Sequence, residues 1–137
     1  MATRSRIAIQ IGDKVHHIYC HWDGYPEGVG NELVTRFNSR ELAEGLIKLG
    51  NRSWLIQPDG CIPTSALVGA PSSAELYDEP AEVVSKEQWE RFSKNPIDGE
   101  QYVYEWIDDA GWIVYNVYYD EYLNVEKAIK RDQAQRY

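Results

Sequence analysis

The sequence predicts a single α+β domain over residues 1–137, in which N- and C-terminal β-hairpins form an antiparallel sheet with helices packed on one face. Three observations predict it. Apolar and polar residues alternate with period two near both ends of the chain, around short turn sequences. Segments with apolar residues three and four positions apart lie between these ends, as in amphipathic helices. The length also suits one domain, since single domains most often hold roughly 100–150 residues.

The N-terminal hairpin is the first element. Residues 6–11 alternate, with the isoleucines on one side of the predicted strand. Gly12-Asp13-Lys14 is a turn sequence, and residues 15–22 form the second predicted strand. Side chains on this second strand also alternate, so that His17, Tyr19 and His21 share one face.

Two helices follow a glycine-rich loop. Apolar residues four positions apart from Val29 to Phe37 predict the first helix. Asn38 and Glu41 predict a capping box for the second helix, which ends at Gly50 because glycine suits the left-handed position after a helix. The remaining predicted elements are a strand at 53–57, an irregular loop or insertion at about 58–84, a short helix at 85–94, hairpin strands at 101–107 and 111–119, and a helix at 121–135.

The charge distribution limits the classes of partner. The net charge is −8, and residues 71–121 hold 13 acidic side chains against three basic ones. Such a segment repels phosphate backbones, so nucleic-acid binding is not expected. It steers the protein toward a partner with a basic surface. No apolar run approaches the roughly 20 residues that span a bilayer, so we expect no membrane contact.

Metal and cofactor sites are not predicted. His17 and His21 lie four positions apart on a strand, roughly 13 Å, whereas zinc requires ligand atoms about 2 Å away. The glycine-rich loop lacks the lysine and hydroxyl residue of a phosphate-binding loop, and Glu32 follows it. Cys20 and Cys61 are not spaced as a redox pair, and we expect both to be reduced.

The densest group of polar and aromatic residues lies where the second strand ends. Tyr19, His21, Asp23 and Tyr25 fall within seven positions, and strand ends that lead into loops often carry functional sites. His21 and Asp23 would form an acid–base pair across one pleat, but no nucleophile is placed beside them. We therefore expect a binding role, with no catalytic residue, at this strand end.

The second hairpin is rich in aromatic residues on both faces, more than one buried face needs. Some of them should therefore be exposed in a protein-binding or self-association surface. Acidic residues surround them, which disfavours base stacking with a nucleic acid. The residues predicted to contact a partner here are Tyr104, Trp106, Asp108, Asp109, Trp112 and Tyr115.

The opening residues 1–7, the string Ile18-Tyr19-Cys20-His21-Trp22-Asp23-Gly24-Tyr25-Pro26-Glu27 and Val29-Gly30 resemble a family of small uncharacterised proteins of tailed bacteriophages. The resemblance covers roughly the first 50 residues and extends more weakly to the second hairpin and the final helix. The chain departs from it between Pro58 and Pro80. The resemblance implies an accessory protein acting in the host bacterial cytoplasm, and it assigns no catalytic residue.

Three functions fit these observations. The first is a non-enzymatic phage accessory protein that binds a host macromolecule and modulates or inhibits it, as in host takeover or anti-defence. Charge reversal at Asp108 and Asp109 should then weaken binding. The second is a protein that binds or hydrolyses a small molecule or nucleotide signal at the His21/Asp23/Tyr25 loop. The third is a minor virion component. The sequence leaves open whether the chain also forms a homo-oligomer.

Overall fold

A computed structural model describes residues 3–51 and 80–135, which form one six-stranded sheet with helices. The predicted strand at 53–57 and most of the predicted irregular segment lie outside the described residues. The elements are β1 (Arg4–Ile11), β2 (Lys14–Cys20), a π-helical turn (Pro26–Gly30), α1 (Asn31–Arg36), α2 (Arg40–Ile47), β3 (Glu82–Ser85), α3 (Lys86–Lys94), β4 (Glu100–Ile107), β5 (Gly111–Asn116), β6 (Glu121–Asn124) and α4 (Val125–Gln135).

The strand order is β3-β2-β1-β4-β5-β6, and every neighbouring pair is antiparallel except β1 and β4. The α+β class is therefore confirmed, although the sheet is mixed. The parallel pair at the centre joins the two predicted hairpins. Ile7, Ala8 and Ile9 of β1 are all fully buried, as expected for a central strand that is covered on both faces.

The two faces of the sheet carry different helices. The first face carries Ile7, Ile9, Tyr104 and Val114 and packs against the turn, α1, α2 and α4. The second face carries Ala8, Val15, Val103 and Tyr115 and packs against Trp89 of α3. The prediction that all helices pack on one face is corrected here, because the buried side of α3 faces the opposite surface of the sheet.

Side-chain caps fix where two of the helices begin. Ser39 Oγ accepts the backbone N–H of Leu42 (3.2 Å), so α2 is capped by Ser39 and not by the predicted Asn38. Before α3, Ser85 Oγ accepts the N–H of Gln88 (3.1 Å), and the Gln88 side chain accepts the N–H of Ser85 (3.0 Å). This reciprocal capping box satisfies two N–H groups that a helix start would otherwise leave unpaired.

Two short edge strands depart from the sequence prediction. Glu82–Ser85, in the segment expected to be irregular, pairs with β2. Glu121–Asn124 pairs with β5, so that the last helix begins at Val125 rather than at residue 121. No helix in residues 3–51 and 80–135 is long and apolar enough to cross a membrane.

Candidate functional site

The end of β2 brings Tyr19 and His21 together on the second face. The Tyr19 hydroxyl lies 2.8 Å from His21 Nδ1. The guanidinium carbon of Arg6 lies 5.4 Å from the centre of the Tyr19 ring. Burial is the main reason why the pKa of Tyr19 is raised. The His21 ring is therefore held by a phenol, and the structure pairs it with Tyr19 instead of the predicted Asp23.

The loop after β2 crosses the end of the sheet toward β5 and β6. The N–H of Gly24 donates to the carbonyl oxygen of Thr3 (2.8 Å), and the carbonyl oxygen of Gly24 accepts the hydroxyl of Tyr104 (2.7 Å). Pro26 then lines a small cavity together with residues of β4, β5, β6 and α4. The loop thereby carries Asp23 and Tyr25, both exposed, across the sheet end.

Asp23 adopts a left-handed backbone conformation with φ of 58°. Its carbonyl oxygen accepts the N–H of Val29 (2.8 Å), and its Oδ1 accepts the hydroxyl of Tyr25 (3.4 Å). Aspartate tolerates this conformation better than most residues do. The side chains of Asp23 and Tyr25 are thus oriented at the protein surface by the backbone turn.

Three of the six residues predicted from the second hairpin belong to the core. Tyr104 and Trp112 are fully buried on the first face, where the Trp112 indole N–H donates to the carbonyl oxygen of Phe37 (3.0 Å). Tyr115 is buried on the second face, and its hydroxyl donates to Asp120 Oδ1 (2.7 Å). That hydrogen bond is the main reason why the pKa of Tyr115 is raised to about 12. These three side chains are interior and stabilise the fold, so they present almost no surface to a partner.

The other three residues lie at the tip of this hairpin. The half-buried Trp106 donates its indole N–H to Asp108 Oδ1 (2.9 Å). Arg40 donates from Nη1 to both Asp108 oxygens (3.0 and 3.1 Å) and from Nη2 to the carbonyl oxygen of Gln10 (2.7 Å). The bonds from Trp106 and Arg40 lower the pKa of Asp108. Asp108 and Asp109 are both exposed, but Asp108 is already held by Arg40 and Trp106, so Asp109 is better placed for a partner.

The two predicted contact regions lie at opposite ends of the sheet. Ser5 pairs with Cys20 and Tyr102 at one end, whereas Ile9 pairs with Trp106 toward the other. A strand of eight residues such as β1 is roughly 25 Å long. One flat contact would have to span this length to include both regions, so they form two separate surfaces.

The exposed aromatic group at the first of these ends includes residues beyond those predicted to contact a partner. Tyr118 and Tyr119 are 71% and 78% exposed in the connection between β5 and β6, at the end to which the β2 loop crosses. We define the aromatic end as Trp22, Asp23, Tyr25, Tyr118, Tyr119 and Asp120. Asp120 has φ of 49°, and within the described ranges only it and Asp23 among non-glycine residues have positive φ.

Comparisons of the chain with protein-family models, with curated proteins and with solved structures gave no match. Among residues 3–51 and 80–135, no group of three or more His, Cys, Asp or Glu side chains is placed to hold a metal ion. Tyrosine, tryptophan and aspartate at an exposed surface are suited to molecular recognition, because the rings bury area with few rotatable bonds.

A buried ionic cluster on the second face was also missed by sequence reasoning. Arg6 is only 2% exposed and donates to Glu100 (2.8 Å), to Asp98 (2.7 Å) and to Nδ1 of His17 (3.3 Å). Arginine has only donors, so Nδ1 of His17 carries no proton. Burial, and then the charge of Arg6, lower the pKa of His17 to about 4. Phe92 lies over the guanidinium at 5.1 Å, so the Arg6 end of the cluster is covered, while Asp98 reaches the surface.

Proposed function

We propose that this chain is a non-enzymatic accessory protein of a tailed bacteriophage, which binds a basic surface of a host protein in the bacterial cytoplasm and modulates or inhibits that protein. The observation that carries the proposal is the aromatic end, where four exposed aromatic side chains accompany two aspartates. Tryptophan and tyrosine are the residues most enriched among the strong contacts of protein interfaces.

The string that resembles phage proteins supports a binding role for the aromatic end. Within Cys20–Pro26, the residues Cys20, Gly24 and Pro26 are buried, and packing accounts for them. Trp22, Asp23 and Tyr25 are exposed, and the core does not need side chains of these types. A recognition role accounts for both the exposed aromatic rings and the acid between them.

Acidic residues favour a basic partner. Asp23 and Asp120 accompany the aromatic rings, and Asp109 lies at the other end of the sheet. Charges outside the buried part of an interface act mainly on the association rate, whereas aromatic anchors act mainly on dissociation. The two surfaces should therefore contribute differently to binding.

The test uses host lysate to identify the partner and purified proteins to measure its affinity. The protein is incubated with host lysate, and native mass spectrometry identifies the polypeptide bound to it. Calorimetry with the purified partner then compares the affinity of wild type with that of Tyr118→Ala/Tyr119→Ala. We expect about a hundredfold weaker binding in this variant, because two interface anchors are lost. Val83→Ala is the matched control, since Val83 is also an exposed apolar residue but lies on the far edge strand β3.

Charge reversal at Asp109 tests the second surface, the tip of the β4–β5 hairpin, separately from the aromatic end. Asp109→Lys should slow association several-fold at low salt and less at high salt, because the effect is a long-range electrostatic one. Asp108→Lys is less informative, since it also breaks the bonds from Arg40 and Trp106. Unchanged affinity in the folded tyrosine variant would remove the aromatic end from the proposal. A retained small molecule without any bound polypeptide would contradict protein binding altogether.

A further inference from the structure

A groove on the second face lies between α3 and the strands β4, β5 and β6. It has a volume of about 210 Å³. Its walls are largely apolar and aromatic, and they include Trp89, Val103, Ile113, Tyr115 and Tyr122. The volume is smaller than the roughly 300–1,000 Å³ of sites for drug-sized ligands. The groove therefore suits a single long side chain better than a whole small molecule.

Two carboxylates line the groove, Glu90 on α3 and the half-buried Glu105 on β4, and Glu105 lies among the apolar walls. Trp89 donates its indole N–H to one oxygen of Glu105 (2.9 Å), and the second oxygen accepts no hydrogen bond from the described residues. Burial raises the pKa of Glu105, and the nearby charge of Glu90 adds to this effect. A carboxylate in such surroundings is stabilised by a cation that reaches it, because burial of an unpaired charge is costly.

We propose that this groove binds one arginine or lysine side chain of a protein partner, with the cationic group on Glu105. The stem of such a side chain would lie along Ile113 and the aromatic walls, and its charge would also be attracted by the ring faces. This inference rests on the proposed function, since the cation belongs to the basic partner. It adds to the proposed interface a defined subsite on this chain for one cationic side chain of the partner.

The chain already shows this chemistry beside the groove. A second cavity of about 350 Å³ shares Glu105 and Ile107 with it and extends to Asp108. There the guanidinium of Arg40 contacts both oxygens of Asp108 and the carbonyl oxygen of Gln10. Arg40 therefore pairs with the carboxylate of this second cavity, whereas among the described residues Glu105 accepts a hydrogen bond from the neutral indole of Trp89 alone.

Lys94 works against the proposed ligand. It lines the same groove, at the last residue of α3, and its ammonium group would repel an incoming cation. Substitution of Lys94 by an uncharged residue should therefore strengthen binding, whereas substitution of Glu105 should weaken it. Opposite effects from two lining residues are not expected if the groove merely buries apolar surface.

The experiment follows the indole N–H of Trp89 by NMR, because this group is bonded directly to Glu105. The probe is acetyl-Gly-Arg-Gly-amide, and the same peptide with citrulline is the uncharged control. Trp89→Phe identifies the resonance. We expect the arginine peptide to shift it and the citrulline peptide to leave it in place. Glu105→Gln, which keeps an acceptor for the indole, should weaken binding about tenfold. Lys94→Gln should strengthen it several-fold.

Glu87→Gln is the matched control, since it removes an equal charge from an exposed position on the first turn of α3. An equal response to both peptides, or an equal loss in Glu105→Gln and Glu87→Gln, would overturn the subsite. The titration needs no host protein, so its failure leaves the aromatic end untouched. Conversely, if the host partner binds Tyr118→Ala/Tyr119→Ala as tightly as wild type, the proposed interface is overturned without affecting the peptide result.

Discussion

At the scale of single residues, Arg6 is the strongest constraint on the second face. Its side chain and that of Glu100 are almost completely removed from water, while Asp98 remains half-exposed. The attraction within a buried pair roughly offsets the cost of desolvating both charges. Removing one member is different, because it leaves the other buried and uncompensated.

Arg6→Leu should therefore lower the free energy of unfolding by about 3–5 kcal/mol. The double variant Arg6→Leu/Glu100→Gln should recover most of this loss, because Gln still accepts the N–H of Asp98 (2.8 Å) without an unpaired charge. Chemical denaturation measures both. Arg36→Ala breaks an exposed pair with Glu32 and should cost only about 0.3–0.5 kcal/mol. Equal losses from Arg6→Leu and Arg36→Ala would show that the Arg6 cluster is not buried in solution.

His17 predicts how stability depends on pH. Its pKa is lowered from 6.5 to about 4 in the folded state, so the unfolded state binds the proton first as the pH falls. Stability should thus decrease between pH 6.5 and about 4, by about 3 kcal/mol from this residue. His17→Phe keeps a ring against Trp89 and Phe92 and should flatten this part of the profile. Denaturation midpoints that fall equally in both proteins would contradict a buried neutral His17.

At the scale of elements, the loop from His21 to Gly30 depends on close backbone approaches. A Cβ added at Gly24 would lie 2.7 Å from the carbonyl oxygen of Thr3 and 2.9 Å from Cβ of Ser5. At Gly30 it would meet Val125 at 3.0 Å and the Tyr104 ring at 3.4 Å. Glycine at these positions lets the loop lie directly on the sheet and on α4, which fixes where Asp23 and Tyr25 are presented.

Gly24→Ala should destabilise the protein by about 1–3 kcal/mol, because the loop must move away from Thr3 and Tyr104 loses its acceptor. It should also weaken partner binding through the aromatic end, with a smaller effect on the Glu105 groove. Thermal unfolding and the two affinity measurements check this. Asn38→Ala, at an exposed position, is the control and should change neither quantity. A fully stable Gly24→Ala protein would mean that the loop does not contact the sheet as described.

The local elements show what the sequence could predict. The alternation in residues 6–11 and the apolar spacing around Trp89 and Phe92 were sufficient for β1 and α3. The four-residue strands β3 and β6 were missed because alternation over so few residues is hard to distinguish from other patterns. Leu123 also fits the apolar spacing of the helix that follows it, so the final helix was predicted to begin too early.

At the scale of the whole molecule, the arrangement of the elements was less predictable than the elements. Hairpins give the local pairing, but nothing local indicates that β1 and β4 pair in parallel at the centre of the sheet. Because helices cover both faces of the sheet at this centre, Tyr104 and Tyr115 are interior on opposite sides. The excess of aromatic residues did predict an exposed group, which consists of Tyr118 and Tyr119 rather than Tyr104 and Trp112.

The parallel pairing also has a consequence for synthesis of the chain. Arg4 pairs with Glu100, 96 positions later, so β1 leaves the ribosome long before its central partner exists. At about 5–20 residues per second, on the order of 5–20 s pass before β4 is synthesised. Until then the β1 edge of the nascent β1–β2 hairpin has no strand to pair with. During that time the backbone N–H and C=O groups of β1 that later pair with β4 can pair with neighbouring nascent chains. We therefore expect the yield of correctly folded protein to depend on translation speed across this interval, even though the folded molecule is the same.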